Sequence, residues 1–271
     1  MSHQRFRGLG VAWVTAAVNL CQSARGQNGG LTGVNAKRLL RADPAAMKDW
    51  RTTLARNRDY LLPAAAGCVC AALLSMVSRG EELPVLGRSP LLPVTLAAAL
   101  LAVPLGIFLR TRSIGAAAPA RVTVRRIFAL AAMGAALALL PIAIDLALPF
   151  PRDLNLPLPG ALLFYPAIAV VAETVFHLGP LALLALMAPR GTPAVRLMLP
   201  VILVEPLFQI LFMPLDAVQS WLVVGNVGAV SVTQLWLFQR YGFSAMIGLR
   251  LAFYLVWHIA WGTVRLPILF A

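Results

Sequence analysis

Seven apolar runs, 60–78, 90–109, 127–149, 160–188, 197–214, 217–238 and 243–263, alternate with short polar segments along the chain. Most are close to the ~20 residues that a helix needs to cross a hydrocarbon core. The pattern therefore predicts an all-α fold, a polytopic transmembrane helix bundle of about seven spans. The fourth run is the longest and carries Pro166 and Pro180. A proline removes a backbone donor, so a tilt or kink is expected there. The fifth run is the shortest and begins near Pro200. Residues 60–271 read as one transmembrane domain, with its polar-site core at 160–262, because no later polar stretch is long enough for a second fold. No internal repeat is visible at a fixed period.

Residues 1–59 differ, being basic and rich in Arg, Gly, Asn and Gln. The apolar stretch Leu9 to Leu20 has twelve residues, too few to span, and no small-residue cleavage site follows it. Two readings remain open: a disordered or interfacial tail, or a true start at Met47, where Met47-Lys48-Asp49-Trp50-Arg51 forms a basic interfacial lead-in to the first span.

The chain is 60% hydrophobic and 12% charged, with a mean hydropathy of +0.81; a soluble domain carries about twice that charged fraction. The net charge of +13 does not point to nucleic acid, because the positive residues sit between apolar runs and not on one face. They fit membrane topology instead. With the N-terminus inside, segments 1–59, 110–126, 189–196 and 239–242 hold ten, five, two and one Lys/Arg, against two, one, none and one in the outer segments. The positive-inside rule then predicts an integral protein of the cell membrane, in contact with membrane lipids, with a cytoplasmic N-terminus. Cys68 and Cys70 lie two apart in an apolar run and form no CxxC pair, so buried free thiols are expected.

Candidate chemistry begins with ionisable residues inside the apolar runs, each costing about 2.5–3.5 kcal/mol to insert. Run four has Glu173 and His177, run five Glu205 and Gln209, and run seven Arg250, Tyr254 and His258. Each set is spaced i, i+4, which places it on one helix face. Counting from the run ends at ~1.5 Å per residue predicts three layers. Glu205 and Arg250 form a shallow ion pair, His177, Gln209 and Tyr254 a middle layer, and Glu173 and His258 a deep one. Asn226, Ser231, Thr233 and Gln234 of run six are further candidates for the same cavity. Asp145, four residues before Pro149, is expected to snorkel to the outer interface. Two histidines and two carboxylates match a zinc ligand set, with Glu173 and Glu205 as candidate catalytic bases and His177 and His258 as candidate metal ligands. The competing reading is interhelical glue, at about 1 kcal/mol per polar contact.

The order of these motifs resembles the CAAX-processing and bacteriocin-processing intramembrane protease family (CPBP, also called Abi), over roughly residues 160–262. That family carries EExxxR on one helix, FxxxH on the next, and HxxxN or HxxxB on a later one. Ala172-Glu173-Thr174-Val175-Phe176-His177 looks like the first motif, Leu203 to Gln209 the second, and Arg240-Tyr241-Gly242-Phe243 followed by Arg250, Tyr254 and His258 the third. The resemblance implies a metal-dependent peptidase acting on membrane-embedded or lipidated peptides. The departures are specific. The family's first glutamate falls on Ala172, its arginine on His177, the histidine of FxxxH on Gln209, and HxxxN on Arg250 and Tyr254 or, one turn on, Tyr254 and His258. Two outcomes stay open: a rebuilt hydrolase site, or a non-catalytic binding module or small carrier that uses the same cavity.

Overall fold

The computed structural model describes residues 44–77, 90–116, 123–211 and 217–270. The stretch Leu9 to Leu20, the segment 79–89 assigned to the outer side, and the alternatives for residues 1–46 lie outside the described residues, apart from 44–46. The chain divides into two compact units, Met1–Leu54 with Glu81–Pro90, and Ala55–Gly80 with Leu91–Ala271. The described backbone of the first is helical from Pro44. The second holds every candidate site residue.

Its helices are α1 (Pro44–Val77, in this unit from Ala55), α2 (Leu91–Thr111), α3 (Val124–Ala147), α4 (Gly160–Met187), α5 (Ala194–Val201), α6 (Val204–Ile210), α7 (Val218–Tyr241) and α8 (Phe243–Leu269). There is no strand among the described residues. Six helices, all but α5 and α6, are long and apolar enough to cross a membrane. The chain is thus an all-α, membrane-embedded protein, as its hydropathy pattern predicts.

The run 197–214 is the exception. It forms two short helices that meet at a turn over Ile202 and Leu203. Pro206 accounts for the break, because it has no N–H for the Ile202 carbonyl and its ring crowds that oxygen.

The centre of the bundle is α4. Of its most apolar window 61% is buried, against 22–39% in the other five spans. Buried Ala169, Val170, Leu178 and Leu181 of α4 pack with Ala99 and Ala102 of α2 and with Leu235, Phe238 and Met246 of α7 and α8. Glu173–Leu178 is a π-helical turn, closed by Gly179 N donating to the Thr174 carbonyl. The disturbance expected from proline takes the form of this widened turn just ahead of Pro180, which has no N–H for the Phe176 carbonyl. A second π turn, Leu255–Trp261, interrupts α8. Such turns are frequent at functional sites, and both fall in helices that carry buried charged groups, Glu173 in α4 and Arg250 and Arg265 in α8.

Where α3 crosses α8, a Cβ on Gly134 would stand 2.6 Å from Ala252 Cβ and 2.8 Å from the Phe253 backbone nitrogen. Backbone cannot step aside as a flexible side chain can. Gly134→Ala is therefore expected to lower stability by about 1–3 kcal/mol, while Gly225→Ala in α7, where nothing lies within 4 Å, is not. Thermal unfolding in detergent compares the two.

One end of the unit is held by a carboxylate that reading 1–59 as a separate segment misses. Buried Asp59 caps α8: Phe243 N donates to Oδ2 at 2.7 Å and Ser244 N to Oδ1 at 3.0 Å. An anion at a helix N-terminus satisfies orphan amides and the helix dipole together. Gly242 has φ +94°, and a Cβ there would lie 2.3 Å from Asp59 Oδ2, so glycine is required on both counts.

Candidate functional site

Buried side chains from α4, α6, α7 and α8 meet inside the bundle, and Arg250 of α8 is their hub. Its Nε donates to Glu173 Oε1. Nη1 donates to Glu205 Oε1 at 2.8 Å and to the Tyr254 hydroxyl at 3.1 Å. Nη2 donates to Glu205 Oε2 at 2.6 Å and to Gln234 Oε1 at 3.2 Å. A guanidinium has five N–H groups, and here each has its own acceptor. The two parallel bonds to Glu205 are the bidentate geometry in which Arg–carboxylate pairs are strongest. The ion pair expected between Glu205 and Arg250 from their equal depth is therefore present.

Glu173 completes the core of the cluster. Besides Arg250, its Oε1 accepts from Gln234 Nε2. Its Oε2 lies 2.9 Å from His177 Nδ1, one helical step away on α4, although neither atom reaches hydrogen-bond geometry and His177 Nε2 has no partner at all. Glu173, His177 and Gln234 are 0% exposed, Arg250 3% and Glu205 6%. Two carboxylates thus face one guanidinium, and among the described residues His177 is the only further titratable side chain ion-paired to either carboxylate.

His258 stands two turns beyond Arg250 along α8. Its ring stacks on Tyr165 of α4 at 4.6 Å and meets Tyr254 edge-on at 5.1 Å. Its Nδ1 is 2.7 Å from Asn155 Oδ1, in the segment ahead of α4. Tyr254, bonded to Arg250 and packed on Tyr165 and His258, joins this aromatic group to the charged one.

The layers counted from the run ends change accordingly. Glu173 shares the level of Arg250 and Glu205, and His258 pairs with Asn155. Run ends do not mark equal depths, and a π turn does not keep the α-helical rise of ~1.5 Å per residue used in the count. Gln209 is partly exposed and bonds to none of these groups; Asn226 is buried but also stands apart from them. Asp145 does not snorkel. It is 0% exposed and takes Arg265 Nε at 2.6 Å and Nη2 at 2.8 Å, Trp261 Nε1 at 2.7 Å and Phe150 N at 2.8 Å. A fully buried cation in reach outweighs escape to the interface.

The site makes a poor fit to zinc as arranged. Glu205 spends both oxygens on Arg250, Glu173 Oε1 takes two donors, and His258 Nδ1 takes Asn155. Among the described residues no three His, Cys, Asp or Glu side chains are grouped to hold a metal.

Spacing does not single out Asn155 or Tyr165, and it offers Gln234 only among the further candidates of run six. Tyr165 had a signal, since it lies eight residues before Glu173 and so near the same face of α4. No family model, curated protein or solved structure matches the chain.

Proposed function

We propose that the chain is a non-catalytic membrane protein, a binding module or small carrier, which works through the buried Glu173–Glu205–Arg250–His177 cluster. The observation that carries this reading is the saturation of Arg250. Arg250 occupies five acceptors, and the two carboxylates that a hydrolase would use as bases are tied up as its partners. A catalytic base must reach a proton on substrate or water. Three of the four carboxylate oxygens are engaged and the fourth, Glu173 Oε2, faces only His177 inside the closed bundle, and the negative charge in excess of Arg250 suits recognition of a cation.

The broken helix α5–α6 and the two π turns support the same reading, since carriers build midplane sites from discontinuous helices. The positions that resemble the CPBP motifs, Glu173, Glu205, Arg250 and Tyr254, converge on this cluster, so the chain reads as a relative of that bundle in which ion pairs stand where the hydrolase groups would be.

Metal analysis of the purified protein tests the proposal. No stoichiometric metal is expected in the wild type, nor in His177→Ala or His258→Ala. A stoichiometric metal lost in both variants would instead establish the peptidase-like site with its membrane-embedded or lipidated peptide substrate.

We further propose that the protein resides in the cell membrane with the end bearing Arg110, Arg112, Arg190 and Arg240 in the cytoplasm, on the positive-inside rule. In a background with Cys21, Cys68 and Cys70 replaced by Ala, Asp153→Cys is expected to react with an impermeant maleimide on intact cells. Arg190→Cys is expected to react only after permeabilisation. The reverse pattern would invert the topology.

A further inference from the structure

The charge imbalance at Arg250 meets a second, independent feature on the neighbouring turn. His177 is 0% exposed, and its Nε2 has no hydrogen-bond partner. Nδ1 faces Glu173 Oε2 at 2.9 Å, outside hydrogen-bond geometry; with the ring proton on the carboxylate side, Nε2 is a lone-pair acceptor. A buried acceptor without a donor is costly, and so is a buried cluster one negative charge in excess.

One occupant answers both. We infer that the site takes a small monovalent cation bearing N–H groups, ammonium itself or a small protonated amine, with one N–H donated to His177 Nε2. The inference rests on the binding reading above and names its ligand.

A bare alkali ion would supply the charge without the hydrogen bond, and imidazole nitrogen is a poor ligand for so hard a cation. A proton on Nε2 would balance the charge but turn the orphan acceptor into an orphan donor, so it answers one of the two costs and leaves the other. Ammonium brings one charge and a donor at once, and complete enclosure of the ring limits the occupant to a small ion. The groups facing His177 are consistent with this. Glu173 lies on its own helix, and Arg250, Glu205 and Gln234 reach that carboxylate or its guanidinium from α8, α6 and α7. α2, which packs on the same π turn, contributes only apolar residues between Thr95 and Arg110. Among the described residues no Lys or Arg other than Arg250 is ion-paired to Glu173 or Glu205.

The test uses the full chain in lipid nanodiscs at pH 7, with ammonium, methylammonium, sodium and tetramethylammonium chlorides at constant ionic strength. Ammonium is expected to raise the unfolding midpoint saturably and to give a calorimetric binding isotherm of unit stoichiometry. Sodium and tetramethylammonium, which lack N–H groups, are expected to do neither. His177→Met should abolish the ammonium response. Should that variant fail to fold, Glu173→Gln, which removes the excess charge and keeps an acceptor for Arg250, should abolish it as well.

Nitrogen-15 spectra of the histidines give a readout that thermal stability does not. The unprotonated Nε2 resonance of His177 should shift on adding ammonium. Equal responses to sodium and ammonium would overturn the N–H requirement while leaving a cation-binding protein. An imidazolium at His177 without ammonium, or no response to any of the four cations, would overturn the inference outright. Stoichiometric metal at the site would overturn the binding reading beneath it.

Discussion

Arg250→Met is expected to destabilise the protein by about 3–5 kcal/mol, the loss typical when one partner of a buried ion pair is removed. The size follows from what stays behind. Glu173 and Glu205 would remain buried with no cation between them, and Tyr254 and Gln234 would lose their donor. Neither carboxylate can turn to water, because Glu173 is 0% and Glu205 6% exposed. Lysine is a poor rescue. Its ammonium is a point charge with three donors, whereas the five acceptors here are arranged around a planar fork. The decisive comparison is the triple variant Arg250→Met, Glu173→Gln, Glu205→Gln. With no charge left to strand, it should recover most of the loss, since a buried pair as a whole adds little over neutral replacements. Chemical unfolding in mixed micelles reads all three proteins. If Arg250→Met unfolds as the wild type does, the cluster is not closed in the way its distances indicate.

The sequence made part of this cluster legible because a charge in an apolar run has few ways to be tolerated. Glu173, His177, Glu205 and Arg250 stand out against their neighbours, and i, i+4 spacing gives each helix its polar face without any tertiary knowledge. The same logic gives the Glu205–Arg250 pair. It does not give the height or rotation of one helix against another, so Glu173 was set level with His258 although it bonds Arg250. Prolines were readable as disturbances but not as their outcome: Pro206 splits run 197–214 into two helices, whereas α4 passes Pro180 with a π turn and stays continuous. Gln234 and Asn155 are polar residues of ordinary appearance, and only the partners that meet them in space give them a role. Arg265 was hidden for a simpler reason, since the last run was closed at residue 263 while the helix continues to Leu269.

That hidden arginine leads to the second large effect. Arg265→Met is expected to cost a further 3–5 kcal/mol or so by the same mechanism, at the opposite end of α8 and with a different local signature. Arg265 and Asp145 are each 0% exposed, and Asp145 is joined to α8 through Arg265 and Trp261 together. Arg265 also donates to the Phe150 carbonyl at 2.7 Å and the Pro151 carbonyl at 3.0 Å. It thereby fastens the segment after α3, which four residues later presents Asn155 to His258. Loss of the guanidinium strands the Asp145 charge and releases that segment. Amide exchange over residues 150–159 should therefore accelerate in Arg265→Met and stay slow in Arg250→Met, provided each is compared under conditions where it remains folded. Asp145→Leu combined with Arg265→Leu removes both charges and should be less damaging than either single change, giving a coupling energy well outside the ~0.5 kcal/mol within which independent sites add. Strict additivity of the two single changes would mean that the pair does not act as one unit.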